Sequence, residues 1–242
     1  MEQIKDNSVF YILKIIENSD CPLGSGIISE QLKIYGFDVS EATVGRTLRE
    51  LDLNGYTEKV GFRGRTLTKK GKNRLKELEQ EYELKQYGNE LIDLLKVEKK
   101  NELIDILIAR KAIERELARL AAANAEDEDI RILQNIVNSH DMHIDDYMAG
   151  AIDDVKFHKH IAKMSKNRIL EAAMDLIRQQ GQLSPVLGYI RKKVKSNIVS
   201  DHKEILKAIS QRKPDDAEKA MVKHIENLIR DVNKYWKEVN NV

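Results

Sequence analysis

Residues 39–71 read VSEATVGRTLRELDLNGYTEKVGFRGRTLTKKG, and two different periodicities meet within them. Ser40 supplies the side-chain acceptor of a helix N-cap, and Val44, Leu48 and Leu51 then recur at the spacing of a buried helical stripe. After Gly55 two short runs, YTEKV and TLT, flank the glycine-bracketed turn GFRGR and predict a β-hairpin. Upstream, Val9, Phe10, Ile12, Leu13, Ile15 and Ile16 predict a first helix that stops at SDCPLG. Ile27, Ile28, Leu32 and Ile34 predict a second over 25–35, closed by Gly36. Three short helices followed by a hairpin is the order of a winged helix-turn-helix.

The charge of this region points to its partner. Over 242 residues the net charge is only +1, but residues 43–74 hold nine Lys or Arg against three acids, a local balance of +6. Ser40, Thr43, Arg46 and Arg49 lie near the start of the third helix, the end that enters a major groove, and Arg63 and Arg65 are expected at the wing tip, within reach of phosphate. A solvated helix face has the same composition, and winged helices also dock proteins. Cations gathered on one surface favour duplex DNA. Over about 7–75 the residues resemble the ribonuclease R/NrpR-type winged helix, which also occurs in archaeal and bacterial regulators. They depart from the usual GntR reading helix, which carries Ser-Arg-Thr-Pro-Val-Arg. Here the stretch is Ser40-Glu41-Ala42-Thr43-Val44-Gly45-Arg46, without proline and with Glu41 in place of Arg, so GntR operator rules do not carry over.

After Thr68, a helix N-cap by type, strong helix formers continue to about residue 100 and predict one or two linker helices. Beyond them no strand signal is found, and six helices are expected, at about 101–124, 127–148, 151–164, 167–193, 198–211 and 214–238. Asp127, Asn167, Ser200 or Asp201, and Pro214-Asp215-Asp216 carry N-terminal signals, and Ala118, Ala121, Ala122 and Ala123 permit close helix packing. The expected domains are a winged helix over 1–75, a connector over 76–99 and a helical bundle over 100–242. Fold class is therefore mostly α, with a small β wing. Apolar residues at 41%, charged residues at 33% and three prolines leave little room for disorder. Neither a leader-like start nor an unbroken apolar run of membrane-spanning length is present, so a cytoplasmic location without membrane contact is expected.

Cys21 is the single cysteine, which excludes an internal disulfide and a Cys-rich zinc site and leaves His, Asp and Glu as metal ligands. Asp154 and His158 are four apart and project from one helical face, whereas His160 points elsewhere. His202 and His224 sit on two further helices beside apolar positions that face a core. One carboxylate and three imidazoles converging from three helices would form an N/O site for Zn, Ni, Mn or a similar ion. Histidines on apolar faces are also common as hydrogen-bonded core residues, and spacing alone does not separate the two.

The series ILIARKAIERELARLAAANA, Asp154-x-x-Phe157-His158, Asn167, Asp201-His202-Lys203-Glu204-Ile205 and His224 resembles the ligand-sensing FCD domain of FadR-subfamily GntR regulators, over about 100–235. The resemblance implies that Asp154, His158, His202 and His224 hold the metal. It also implies a homodimer, effectors that are small carboxylates, and an effector cavity near Arg110 and Asn167. Arg110 equally suits an ion pair with Glu114, and Asn167 a helix cap. The combined expectation is a DNA-binding transcription regulator, not an enzyme, with a divalent metal (Zn or Ni first, then Mn) and an effector that modulates operator binding. In the alternative the ion itself is the signal. A hydrolytic metal enzyme lacks support, since neither an obvious general base nor a nucleophile motif such as GxSxG is found. RNA as partner follows from the ribonuclease R likeness and is opposed by the lack of any nuclease domain.

Overall fold

The computed structural model describes residues 2–97, 99–143, 146–178, 183–196 and 198–240. It divides into two compact units, Met1–Glu90 and Leu91–Val242. The first holds α1 (Glu2–Glu17), α2 (Ser25–Ile34), α3 (Glu41–Leu53), β1 (Thr57–Lys59), β2 (Arg65–Leu67) and most of α4 (Lys69–Leu94). Ser40 is the N-cap of α3, its Oγ accepting from the Thr43 amide at 3.3 Å. The buried stripe is Val44, Leu48 and Leu51, packed with Phe10, Leu13, Ile28 and Leu32. The wing is an antiparallel pair in the register Thr57↔Leu67, Glu58↔Thr66, Lys59↔Arg65, extended by a bridge from Leu23 to Arg65. Gly64 has φ +128°, and a Cβ there would overlap the Leu23 backbone, so only glycine lets the wing lie this close. Thr68 caps α4, accepting from the Gly71 amide at 3.0 Å while donating to the Gly55 carbonyl at 2.6 Å.

The second unit is a bundle of α5 (Lys100–Asn124), α6 (Asp127–Met142), α7 (Tyr147–Met164), α8 (Arg168–Ile177), α9 (Leu183–Lys193), α10 (Ile198–Ser210) and α11 (Pro214–Asn240). α5 packs most extensively on α11, and the small side chains of Ala118, Ala121 and Ala122 on α5 are fully buried, which allows neighbouring helices to approach closely. The single helix expected over 167–193 is two, because α8 closes at the C-cap Arg178 and α9 starts at Leu183; residues 179–182 lie outside the described residues. The helix expected over 127–148 ends at Met142, and Glu126 rather than Asp127 caps it. α10 starts at Ile198, so Ser200 and Asp201 lie within its first turn instead of capping it. Among the described residues no helix is long and apolar enough to cross a membrane.

Candidate metal centre

On α7 the i,i+4 spacing brings Asp154 and His158 together, with His158 Nε2 3.4 Å from Asp154 Oδ1. α10 adds His202, whose Nε2 lies 3.6 Å from the same oxygen, and α11 adds His224. One ligand atom from each of the four falls within 4.8 Å of the others, and all four residues are buried. The Nε2 atoms of His158, His202 and His224 have no hydrogen-bond partner. A buried, unsatisfied polar atom costs roughly 1–3 kcal/mol, so three in one place are unfavourable unless something meets them.

The far side of each ring is engaged. His158 Nδ1 is in ion-pair contact with Glu114 on α5. His202 Nδ1 lies 3.3 Å from His140 Nδ1 on α6, and His224 Nδ1 lies 3.3 Å from Asp201 Oδ2 on α10. Asp201 also accepts from Arg191 at 3.1 Å and from Asn227 at 2.8 Å. Asp154 spends its other oxygen, Oδ2, on Arg178 at 2.7 Å and Ser184 at 2.8 Å. Phe157 stacks on His202 with ring centres 3.9 Å apart. Partners on Nδ1 hold each ring with its Nε2 towards the cluster, as outer partners of metal-bound histidines do. The donor set, three imidazole nitrogens and one carboxylate oxygen, suits a divalent metal ion.

Burial, then the neighbouring His224, pushes His202 well below the ordinary imidazole range, and burial pushes His224 down to about 4. Burial alone would raise Asp154, but Arg178, then His158 and His202, outweigh it and hold the carboxyl well below its usual range. Glu114 is held low in the same way, chiefly by Arg110 and His158. Near neutral pH His202 and His224 are thus neutral and Asp154 is ionised, the forms that bind metal.

A stability prediction follows for metal-free protein. Unfolded, His224 takes up a proton near pH 6.5, whereas folded it resists protonation until about pH 4. The unfolded state therefore binds more protons between those values, so stability is complete above 6.5 and falls as pH drops towards 4. His224 alone contributes about 3 kcal/mol to that loss. Thermal melts in chelator across this window should show the decline. A flat melting temperature down to pH 4.5 contradicts it.

Beside the centre lies a cavity of about 90 Å³, lined by residues that include His140, Tyr147, Asp154, Ser184, Arg191 and Lys192. Arg191 is 3% exposed, and its Nη1 has no hydrogen-bond partner although Nη2 is bonded to Asp201. Arg110 and Asn167 are not among the residues that line this cavity. Arg110 is buried and donates from Nε to Glu114 at 2.7 Å, and Asn167 caps α8 by accepting from the Leu170 amide at 3.1 Å.

Sequence reasoning missed Glu114 as a partner of His158, and it missed His140, Arg178, Ser184, Arg191 and Asp201. One signal was present for the first: Arg110 and Glu114 interrupt the stripe Leu103, Leu107, Leu117, Ala121, and charges inside a buried stripe need partners on other helices. Of the expected DNA contacts, Arg46, Arg49 and Arg63 are exposed, while Ser40 is bonded to Thr43 and Arg46 donates to Thr43 at 3.2 Å. Arg65 is not at the tip. It sits in β2, only 15% exposed, and its Nε is bonded to Asp52 at 2.9 Å.

The profile of the FCD domain matches residues 105–227, and that of the ribonuclease R winged-helix domain matches residues 10–75. The Global nitrogen regulator NrpRI of Methanosarcina mazei is 39% identical over 70 residues, which are 29% of this chain and 22% of that protein. The matched stretch thus covers about a fifth of that relative's length. The HTH-type transcriptional regulator LutR of Bacillus subtilis is 24% identical over 229 residues, covering 93% of this chain and 99% of LutR. Among solved structures, the GntR protein of Streptococcus agalactiae aligns with 22% identity and a TM-score of 0.44, covering 95% of this chain and 98% of that one.

Proposed function

The chain belongs to the FCD-domain family and carries a ribonuclease R-type winged helix, and from that premise we propose that it is a GntR-type transcription regulator whose bundle holds a divalent metal through Asp154, His158, His202 and His224 and uses it to bind a small carboxylate effector. The observation that carries this reading is the convergence of three unpartnered Nε2 atoms on Asp154 beside a cavity that the same Asp154 lines. The ion, when bound, supplies a Lewis-acidic centre that attracts an anion. The protein's own groups do the rest. Asp154 is fixed by Arg178 and Ser184, and Arg191 brings a buried cation to the cavity wall. At about 90 Å³ the cavity has room for about three waters, or for a short acid of comparable volume. A cavity next to the centre favours the ion as a cofactor over the ion as the signal itself.

Residues 1–75 carry the DNA-reading surface, 100–242 the ligand site and 76–99 the connection. α3 enters the major groove, with Arg46 and Arg49 on its exposed face and Arg63 on the wing turn. Effector binding changes DNA affinity by the difference in effector affinity between the DNA-competent and other states. Relatives matched over most of the chain, such as LutR, are named as transcription regulators and not as enzymes.

The experiment is a melting series with two- to six-carbon mono- and dicarboxylates on zinc-loaded protein, metal-free protein and Arg191→Lys. At least one acid should raise the melting temperature of the zinc form, by the equivalent of about 2.7 kcal/mol at a hundred times its Kd. Lysine keeps a charge beside Asp201 but lacks Nη1, so the shift should shrink in that variant. An equal shift without metal overturns the role of the ion.

A homodimer is the expected assembly, because two-fold symmetry lets two winged helices read a symmetric operator. Ile169 and Leu176 on α8, seven residues apart, are exposed apolar groups of the kind a subunit interface covers. Light scattering at micromolar concentration should return twice the 27.9 kDa of one chain. A single-chain mass that does not rise on adding DNA contradicts it.

A further inference from the structure

A groove on the winged helix, lined by residues that include Ser25, Glu41, Ala42, Gly45, Arg46 and Arg49, carries one acid among its cations. Glu41 is exposed, opens α3, and is tied in place by Ser25 Oγ, which donates to its Oε1 at 3.0 Å. A carboxylate facing a polyanion weakens general attraction to DNA, and against DNA it gains where it meets a donor on a base. Of the major-groove donors, the 4-amino group of cytosine is the one that Glu and Asp recognise.

Gly45 is the second observation. It lies in the interior of α3, where glycine weakens a helix relative to alanine, and its φ is not positive. Nothing within the unit requires it, since a Cβ there would meet only the Ser25 Cβ, at 4.0 Å. The missing side chain lies on the same open groove as Glu41, one helical turn away, and leaves room for a body outside the protein.

We propose that Glu41 is a specificity-determining residue that accepts a hydrogen bond from the 4-amino group of one cytosine, with that base pair seated over Gly45. The inference rests on the reading of α3 as the helix that enters the major groove. Glu41 also complements the positive end of the helix dipole and joins α2 to α3 through Ser25. Those roles account for an acid at the position, but they create no base preference and give no reason for Gly45.

The test uses the purified full chain and selection from a random duplex library, run on wild type, Glu41→Gln and Gly45→Ala. Wild type should select a half-site with a cytosine whose replacement weakens binding about tenfold. Glutamine keeps the acceptor for Ser25, so Glu41→Gln should fold normally and exchange the cytosine for adenine, whose edge glutamine matches. Gly45→Ala should melt a few degrees higher and bind the selected duplex at least about tenfold more weakly. An identical motif from wild type and Glu41→Gln overturns the inference and leaves the major-groove reading standing. Undiminished binding by Gly45→Ala overturns the seating of the pair. If wild type selects no motif at all, both fail together.

Discussion

Alanine in place of any one of Asp154, His158, His202 or His224 is expected to leave the dialysed protein with less than about a tenth of the wild-type metal content. A second replacement should then remove little more, because a site short of one ligand is already poor. The geometry gives the reason: three Nε2 atoms without hydrogen-bond partners converge on one carboxylate, and each ring is held from behind by Glu114, His140 or Asp201. Ordinary core histidines would respond differently, each alanine lowering stability by a separate increment of about 1–3 kcal/mol, with no sensitivity to chelator. His160 is the control, since its Nε2 is bonded to the Asp129 carbonyl at 2.9 Å, away from the cluster. Elemental analysis of the four variants and His160→Ala decides the matter. Full occupancy in His202→Ala and His224→Ala would remove the site.

Reversing Arg46 and Arg63 to glutamate together should weaken duplex binding by at least about a hundredfold near 0.1 M salt, and reduce the slope of log K against log salt by about two. Both side chains are exposed, one on α3 and one at the wing turn, and neither is needed by the core of the first unit. The fold should therefore survive, and circular dichroism of the double variant should match wild type. Arg65 is unsuited to this pair. Its bond to Asp52 and the bridge to Leu23 make it a brace of the wing, so its loss would confuse folding with binding. Unchanged affinity and an unchanged salt slope in the double variant would refute α3 and the wing as the DNA surface.

Most of the architecture was legible before any coordinates, because it rests on local rules. Helical spacing located α1, α2 and α3, the glycine-bracketed tip located the hairpin, and Ser40 and Thr68 capped the helices they precede. Spacing along α7 also put Asp154 and His158 on one face, while His202 and His224 were found as histidines on apolar stripes. Those inferences depend on dihedral periodicity within four residues, which sequence displays directly.

Relations across the fold were a different matter. The structure shows Arg110 bonded to Glu114 and Asn167 capping α8. It also takes Arg65 from the tip to Asp52 and puts Arg191, read from no motif, on the cavity wall. The break between α8 and α9 was signalled by Gly181 and by Ser184-Pro185, which the single helix expected over 167–193 runs through. Arg178 ends α8 and bonds to Asp154, 24 residues earlier in the chain. Sequence by itself determined which residues share a helix face and which atoms can bind metal. Only the tertiary structure decided which far nitrogen meets which carboxylate, because pairings between distant helices are set by how buried surfaces pack and by the need to satisfy every buried charge.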